Sequence, residues 1–210
     1  MSFGRYLDRK LVRPVRTFFR NREDIRRLRA IEQRPLRLIL GASGTSQPGW
    51  THTDQRYLDL LKPVEWARLF EPASLGGLLA EHVWEHLTPE EGVLAARTCH
   101  EFLAAGACLR AAVPDGLHPD PAYIEWVRPG GTGPAATDHK VLYDYRTFSR
   151  VFEQAGFRVE LLEYFDESGT FHRVDWTNER GFIGRSARYD ARNEGGKLAY
   201  TSLILDAVKG

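Results

Sequence analysis

Chemistry in this chain concentrates in a few short stretches. Gly41-Ala42-Ser43-Gly44 follows the apolar run Leu36–Leu40 directly. Glycines there let the backbone approach a ligand closely, as at the opening turn of a nucleotide-binding α/β unit. Asp54 lies 13 residues beyond Gly41, where a carboxylate can accept hydrogen bonds from two ribose hydroxyls. Asp59 suits similar work toward a purine amino group or the ribose. Glu81-His82-Val83-Trp84-Glu85-His86 follows a second apolar run, and Pro114-Asp115-Gly116-Leu117-His118 a third. His82, Asp115, His118 and His139 are the candidates for proton acceptance from a bound substrate. Tyr123, Trp126 and Tyr143 are candidates for the walls of a substrate pocket.

One stretch allows a competing reading. His82-Val83-Trp84-Glu85-His86 has the H-x-x-E-H spacing of certain zinc hydrolases, in which two imidazoles four residues apart share a helix face and the glutamate is the base. Here the spacing follows a strand candidate directly, and Pro89 opens the next helix only afterwards. Too little helix surrounds the pair, so the sequence assigns no metal to it.

These stretches need elements to position them. Leu36–Leu40, Trp50–Asp54, Tyr57–Leu61, Leu75–Ala80 and Ala107–Val113 read as extended pieces, and Phe157–Tyr164 and Ser202–Val208 as the last two strands. A short helix is expected after Pro63. Thr88-Pro89-Glu90-Glu91 is a capping box with proline at the first helical position, and Ala95, Cys99, Phe102 and Leu103 form the apolar face of its helix up to Gly106. Phe148, Val151, Phe152 and Ala155 mark one more helix, ended by Gly156. Strands alternating with helices predict a mostly parallel sheet with helices on both faces, and the final pair of strands an antiparallel C-terminal edge. In such a sheet ligands bind beyond the carboxyl ends of the strands, which collects the stretches above around one crevice. The loops 116–143 and 165–198 are long for mere connections and suit a lid or acceptor role.

Residues 1–35 form a separate basic arm, with 11 Lys and Arg against 4 Asp and Glu, while 36–210 hold 18 against 24. Phe3, Leu7, Leu11, Val15 and Phe18 recur at helical spacing within it. Pro14 is expected to kink or divide that helix, and residues 22–33 to form a second. Such a face suits packing on the body or another subunit, or contact with an anionic membrane surface. The acidic body and the lack of a recognition motif argue against nucleic acid. No apolar run reaches the ~18 residues of a membrane span, no signal peptide opens the chain, and Cys99 and Cys108 fit free thiols of a reducing compartment. The expectation is therefore a cytoplasmic protein, with peripheral membrane contact through the arm as an option.

The order LRLILGASG, PGW-x-x-x-D, LDLL, AEHVWEHLTPEE, LAAGACLRAAVPDG and FEQAGFRVELLEYF resembles the class I S-adenosylmethionine-dependent methyltransferases. It is similar in particular to small bacterial members with an EHVxEHL block and an AVPDG strand end. The resemblance covers about residues 36–208 and implies a Rossmann-like fold and S-adenosylmethionine as cofactor; it leaves the methyl acceptor open, a small-molecule or saccharide-type acceptor being one option. It implies that Gly41, Ala42, Ser43 and Gly44 cradle the amino-acid end of the cofactor. Asp54 then matches the ribose carboxylate, Asp59 the acidic position near adenine, and Glu81 with His82 the segment under the cofactor that faces the acceptor. Ser43 departs from the family's second glycine, with Gly44 one place late. A non-catalytic cofactor-binding or partner-binding protein on the same fold is the alternative, and a zinc hydrolase the remote one.

Overall fold

The computed structural model describes residues 13–32, 34–41, 46–194 and 198–210, with side chains from residue 21 onward. Phe3, Leu7 and Leu11, the side chains of Val15 and Phe18, and Ala42, Ser43 and Gly44 lie outside the described residues.

Among the described residues seven strands form one sheet: β1 (Leu36–Leu40), β2 (Thr51–His52), β3 (Leu75–Glu81), β4 (Cys108–Pro114), β5 (Arg158–Phe165), β6 (Phe171–Arg173) and β7 (Ser202–Val208), in the order β2-β1-β3-β4-β7-β5-β6. The pairs β2–β1, β1–β3 and β3–β4 are parallel; β7 runs antiparallel to both β4 and β5, and β6 antiparallel to β5. Five of the seven strands therefore share one direction, with the antiparallel edge expected from the sequence. The helices are α1 (Arg13–Ala30), α2 (Pro63–Ala67), α3 (Pro89–Phe102), α4 (Pro121–Val127) and α5 (Tyr145–Glu153).

Side-chain alternation along the strands divides the core in two. Leu38 and Leu40 of β1, Leu78 and Ala80 of β3, Leu109, Ala111 and Val113 of β4, and Leu203 and Leu205 of β7 face one way. They meet Leu28 of α1, Trp66 of α2, Cys99 and Phe102 of α3, and Phe148 and Phe152 of α5. Ile39, Leu79, Ala112, Leu162 and Ile204 face the other way and meet Trp176 and Ile183, which belong to the long segment between β6 and β7. Among its described residues that segment holds two 3-10 turns, Asn178–Arg180 and Ala191–Asn193.

Buried polar groups fasten it. Arg110 of β4 forms two parallel hydrogen bonds to Asp206 of β7 (2.7 and 2.9 Å), donates to the carbonyls of Thr177 and Gly181 (both 2.7 Å), and lies over the Trp176 ring at 4.7 Å. Glu163 accepts from Trp176 Nε1, Ala187 N and Thr201 Oγ1. Gln47 pairs with both the carbonyl and the amide of Phe182.

Local signals explain several boundaries. Thr88 Oγ1 accepts from Glu91 N while Glu91 Oε2 accepts from Thr88 N, the reciprocal pair that starts α3. Other expectations fail. Tyr57–Leu61 forms turns rather than a strand, because Asp59 ends its run by accepting Trp66 Nε1 and Lys62 N on its carbonyl. Residues 22–33 do not form a separate helix, because α1 runs unbroken from Arg13 to Ala30; whether Pro14 divides the arm turns on residues before Arg13, which lie outside the described residues. Among the described residues no helix is long and apolar enough to cross a membrane. Cys99 and Cys108 are buried free thiols, and burial raises the pKa of both.

Candidate functional site

The carboxyl ends of β1, β2 and β3 open into a cleft of about 540 Å³, within the range of small-molecule sites, roughly 300–1,000 Å³. Gly41 ends β1 with φ +60°, and a Cβ there would stand 3.0 Å from Val83 Cγ2. Glycine suits both the backbone angle and the close approach. Thr53 directs its amide and its hydroxyl to the Ile39 carbonyl (2.8 and 3.0 Å), which ties the exit of β2 to β1 and places the next residue, Asp54, on the rim. Asp54 Oδ1 accepts from Arg56 N and Nε, and its side chain is half exposed. Asp59 is buried, accepts from Leu61 N, and has Lys62 Nζ 3.1 Å from its other oxygen. Leu58, Leu61, Val83 and Leu87 supply apolar wall. Gly41, Asp54, Asp59 and His82, separate in sequence, thus line one cleft.

A smaller cavity of about 210 Å³ adjoins it. Leu40, Gly41, His82 and His86 line both; Glu85, His139 and Arg185 line only the smaller. Here the chain leaves β3 through His82, whose φ of +58° is rare for a residue with a side chain. Its amide donates to the Ala112 carbonyl, and Nε2 lies 2.9 Å from Ser202 Oγ. His82 Nδ1 stands 3.2 Å from Glu85 Oε1, within ion-pair distance but out of line for a hydrogen bond. Burial lowers the His82 pKa well below its ordinary value and raises that of Glu85 to about 8. Both shifts favour the uncharged forms, so at neutral pH a neutral imidazole faces a carboxylic acid. Glu81 accepts from the amides of Gly184 and Arg185 and so brings the long β6–β7 segment to the cavity wall.

His139 reaches the cavity because Lys140 N donates to the Glu85 carbonyl (2.7 Å). Asp115 and His118 line neither space. Asp115 is fully buried and accepts from Leu117 N and Phe165 N. His118 stacks on Tyr123 at 4.0 Å, with Phe165 against its edge. Tyr123 and Tyr143 are packed inside, and Trp126 is exposed. The H-x-x-E-H geometry is absent as well: Trp84–His86 is a single 3-10 turn, and the left-handed backbone at His82 takes that residue off any shared helix face. Glu85, His86, Glu91, Lys140 and Arg185 line the two spaces without having been singled out as site residues by sequence. The EHVWEH block marked the first two, whereas nothing local marks Lys140 or Arg185.

No family model matches the chain, and no curated protein matches it. Solved structures resemble it in outline. They include an S-adenosylmethionine-dependent methyltransferase from Archaeoglobus fulgidus (14% identity, 98% of each chain covered, TM-score 0.45). Another, from Thermotoga maritima, is 10% identical over 97% of this chain and 98% of that one, with a TM-score of 0.49. A third is phosphoethanolamine N-methyltransferase 2 of Haemonchus contortus with S-adenosyl-L-methionine (12% identity, 100% of this chain and 60% of that one, TM-score 0.44). At these identities no residue role transfers from them.

Proposed function

We propose that the chain binds S-adenosylmethionine in the larger cleft and acts as a methyltransferase on an acceptor that enters the smaller cavity. The observation that carries this reading is the convergence of Gly41, Asp54, Asp59 and His82 on one cleft beyond the carboxyl ends of parallel strands. The donor set fits the cofactor. Gly41 leaves backbone uncovered where a side chain would fill the space. Two carboxylates suit hydroxyl and amine donors, and leucines provide surface for a flat purine. When bound, the cofactor supplies a methyl group already activated on a sulfonium, so the protein mainly aligns the acceptor and excludes water.

The four residues common to both spaces mark where donor and acceptor would meet. An oxygen or nitrogen acceptor also loses a proton. Both His82 nitrogens face protein groups, Ser202 and Glu85. His139 Nδ1 lies 2.7 Å from the Val127 carbonyl. A carbonyl only accepts, so Nδ1 carries the hydrogen and Nε2 the lone pair. That lone pair can take a hydrogen bond or proton from an acceptor, as can that of His86, whose Nδ1 lies 3.2 Å from the Asp138 carbonyl.

Calorimetry with S-adenosylhomocysteine tests the reading. Wild-type protein should bind, and Asp54→Ala should weaken binding by about 1.5–3 kcal/mol, the scale of a lost hydrogen bond to a charged group. Gly41→Val should abolish it. Folded wild-type protein that ignores the ligand would sink the proposal.

A further inference from the structure

The smaller cavity has a feature that methyl transfer does not require. Glu85 is 1% exposed, both its carboxyl oxygens lack a hydrogen-bond partner, and it lines the cavity. Natural proteins seldom bury a carboxyl group so, because a buried polar group without a partner is costly. Besides His82, whose Nδ1 stands 3.2 Å from Oε1 but out of line for a hydrogen bond, two further imidazoles stand beside it. His86 and His139 lie edge to face with ring centroids 4.9 Å apart. His86 Nδ1 lies 3.2 Å from the Asp138 carbonyl, and His139 Nδ1 2.7 Å from that of Val127. Each carbonyl needs a donor, so both rings carry hydrogen on Nδ1 and a lone pair on Nε2. A backbone carbonyl fixing one ring nitrogen so that the other can coordinate is the usual arrangement around metal-binding histidines. One ligating atom from each of Glu85, His86 and His139 lies within 4.8 Å of the other two. The backbone holds the set together, since the Glu85 carbonyl accepts from Lys140 N and Val141 N.

The geometry points to a binding site for a divalent first-row transition ion, of the zinc or iron(II) kind, made by Glu85, His86 and His139 in the wall of the smaller cavity. Two imidazoles and one carboxylate suit such ions better than calcium or magnesium, which prefer oxygen alone. Ligands around a tetrahedral zinc ion stand about 3.3 Å apart, given bonds of about 2.0–2.1 Å. The three side chains therefore close in by no more than about 1.5 Å, within reach of their own torsions. The site differs from the H-x-x-E-H pattern, because His139 replaces His82 and Glu85 becomes a ligand. Three protein ligands leave at least one position for an oxygen from the cavity. Only the suggestion that this oxygen belongs to the methyl acceptor rests on the proposed function; with an ion bound, the His139 Nε2 lone pair is occupied by it. The other charged groups facing the cavity are Arg185, whose Nε lies 3.8 Å from Glu81, and Glu81 itself.

Cobalt(II) provides the test. Tag-free full-length protein, stripped with chelator, is titrated with cobalt(II) alone and followed by visible absorption and thermal melting. One equivalent should bind with d–d bands and raise the melting temperature. Glu85→Gln, His86→Ala and His139→Ala should each weaken binding more than tenfold, because losing even a partner of a metal ligand costs roughly 10–100-fold. His100→Ala, on α3, should change nothing. Glu85→Gln keeps the side chain's shape, so it carries the test if an alanine variant fails to fold. Wild-type protein that takes up no cobalt, or uptake unchanged in the Glu85 and histidine variants, would overturn the site. S-Adenosylhomocysteine binding on the same samples separates the two proposals: its absence removes the methyltransferase reading and leaves a cobalt site standing, and the reverse result does the opposite.

Discussion

The two faces of the sheet are covered by different means. On one, α1, α2, α3 and α5 lay leucine, phenylalanine and tryptophan against strand residues that are themselves apolar. On the other, the cover is a loop with two short turns, and its apolar contact is the small cluster around Trp176 and Ile183. Helices satisfy their own backbone groups, so they can be placed by side-chain shape alone. A loop cannot do so, because its amides and carbonyls would be stranded against the sheet. Here strand residues supply the missing partners: Arg110 takes the Thr177 and Gly181 carbonyls, Glu163 the Ala187 amide, and Glu81 the amides of Gly184 and Arg185. A coil can serve as a layer of an α/β fold when the sheet beneath it is polar at the right points.

This contrast can be broken deliberately. Phe152→Ala on the helical face and Asp206→Ala under the coil should each cost about 3–5 kcal/mol, the first as a cavity and the second by stranding the buried Arg110 charge. Denaturant midpoints measure the size, and amide exchange should tell them apart. With Asp206→Ala, protection should fall first at Gly184 and Ala187; a loss spread evenly over the sheet would refute the distinction. Replacing the pair together, Arg110→Leu with Asp206→Leu, should recover much of the stability but not the loop's protection, since the bonds to Thr177 and Gly181 stay lost.

The second test uses pH. Burial, outweighing the two amides that favour the charged form, raises the Asp115 pKa from 3.8 to about 6. A raised carboxyl pKa stabilises the fold fully below the unfolded value and loses that contribution as pH rises through the folded one. Wild-type stability relative to Asp115→Asn should therefore fall by about 2 kcal/mol between pH 4 and pH 6.5, part of the roughly 3 kcal/mol that the whole shift is worth at 1.36 kcal/mol per pH unit of difference. A flat difference across that range would mean that the Phe165 and Leu117 amides hold the carboxylate charged. The smallest effect belongs to the helical face. Thr88→Ala removes one half of the α3 capping box and should cost about 1 kcal/mol, with no loosening of the coil.

The helical face was the more legible in the sequence for the same physical reasons. Capping at Thr88 and the apolar spacing of Phe148, Val151 and Phe152 are local signals that act within a few residues, and the structure realises them; α3 ends at Phe102, short of the stop expected at Gly106. The strands β1, β3, β4 and β7 were equally plain as buried apolar runs. Tyr57–Leu61 was misread because a short apolar run carries no period of its own. The cap of α4 by Asp120 before Pro121 went unread inside a loop rich in glycine and proline, and the three residues of β6 are too few to show a pattern. The meeting of Gly41, Asp54, Asp59 and His82 in one cleft is legible because topology alone sends strand ends to one edge. The approach of His139 to His86 depends on a backbone bond between Glu85 and Lys140, more than fifty residues apart, and no local signal announces such a meeting.

The placement of β7 has a consequence for how the molecule comes to be folded. Ser202–Val208 fills the gap between β4 and β5, and Arg110 waits 96 positions for Asp206. A nascent chain that has emerged past Phe165 holds both neighbours of the missing strand but not the strand. The inner edges of β4 and β5 then stand open, with unpaired amides and carbonyls and a row of aliphatic side chains. Such edges template pairing with other chains, and closing a sheet over so long a separation is slow. The chain should thus depend on protection during synthesis, and a ribosome stalled before codon 202 should release an aggregating product rather than a smaller folded one.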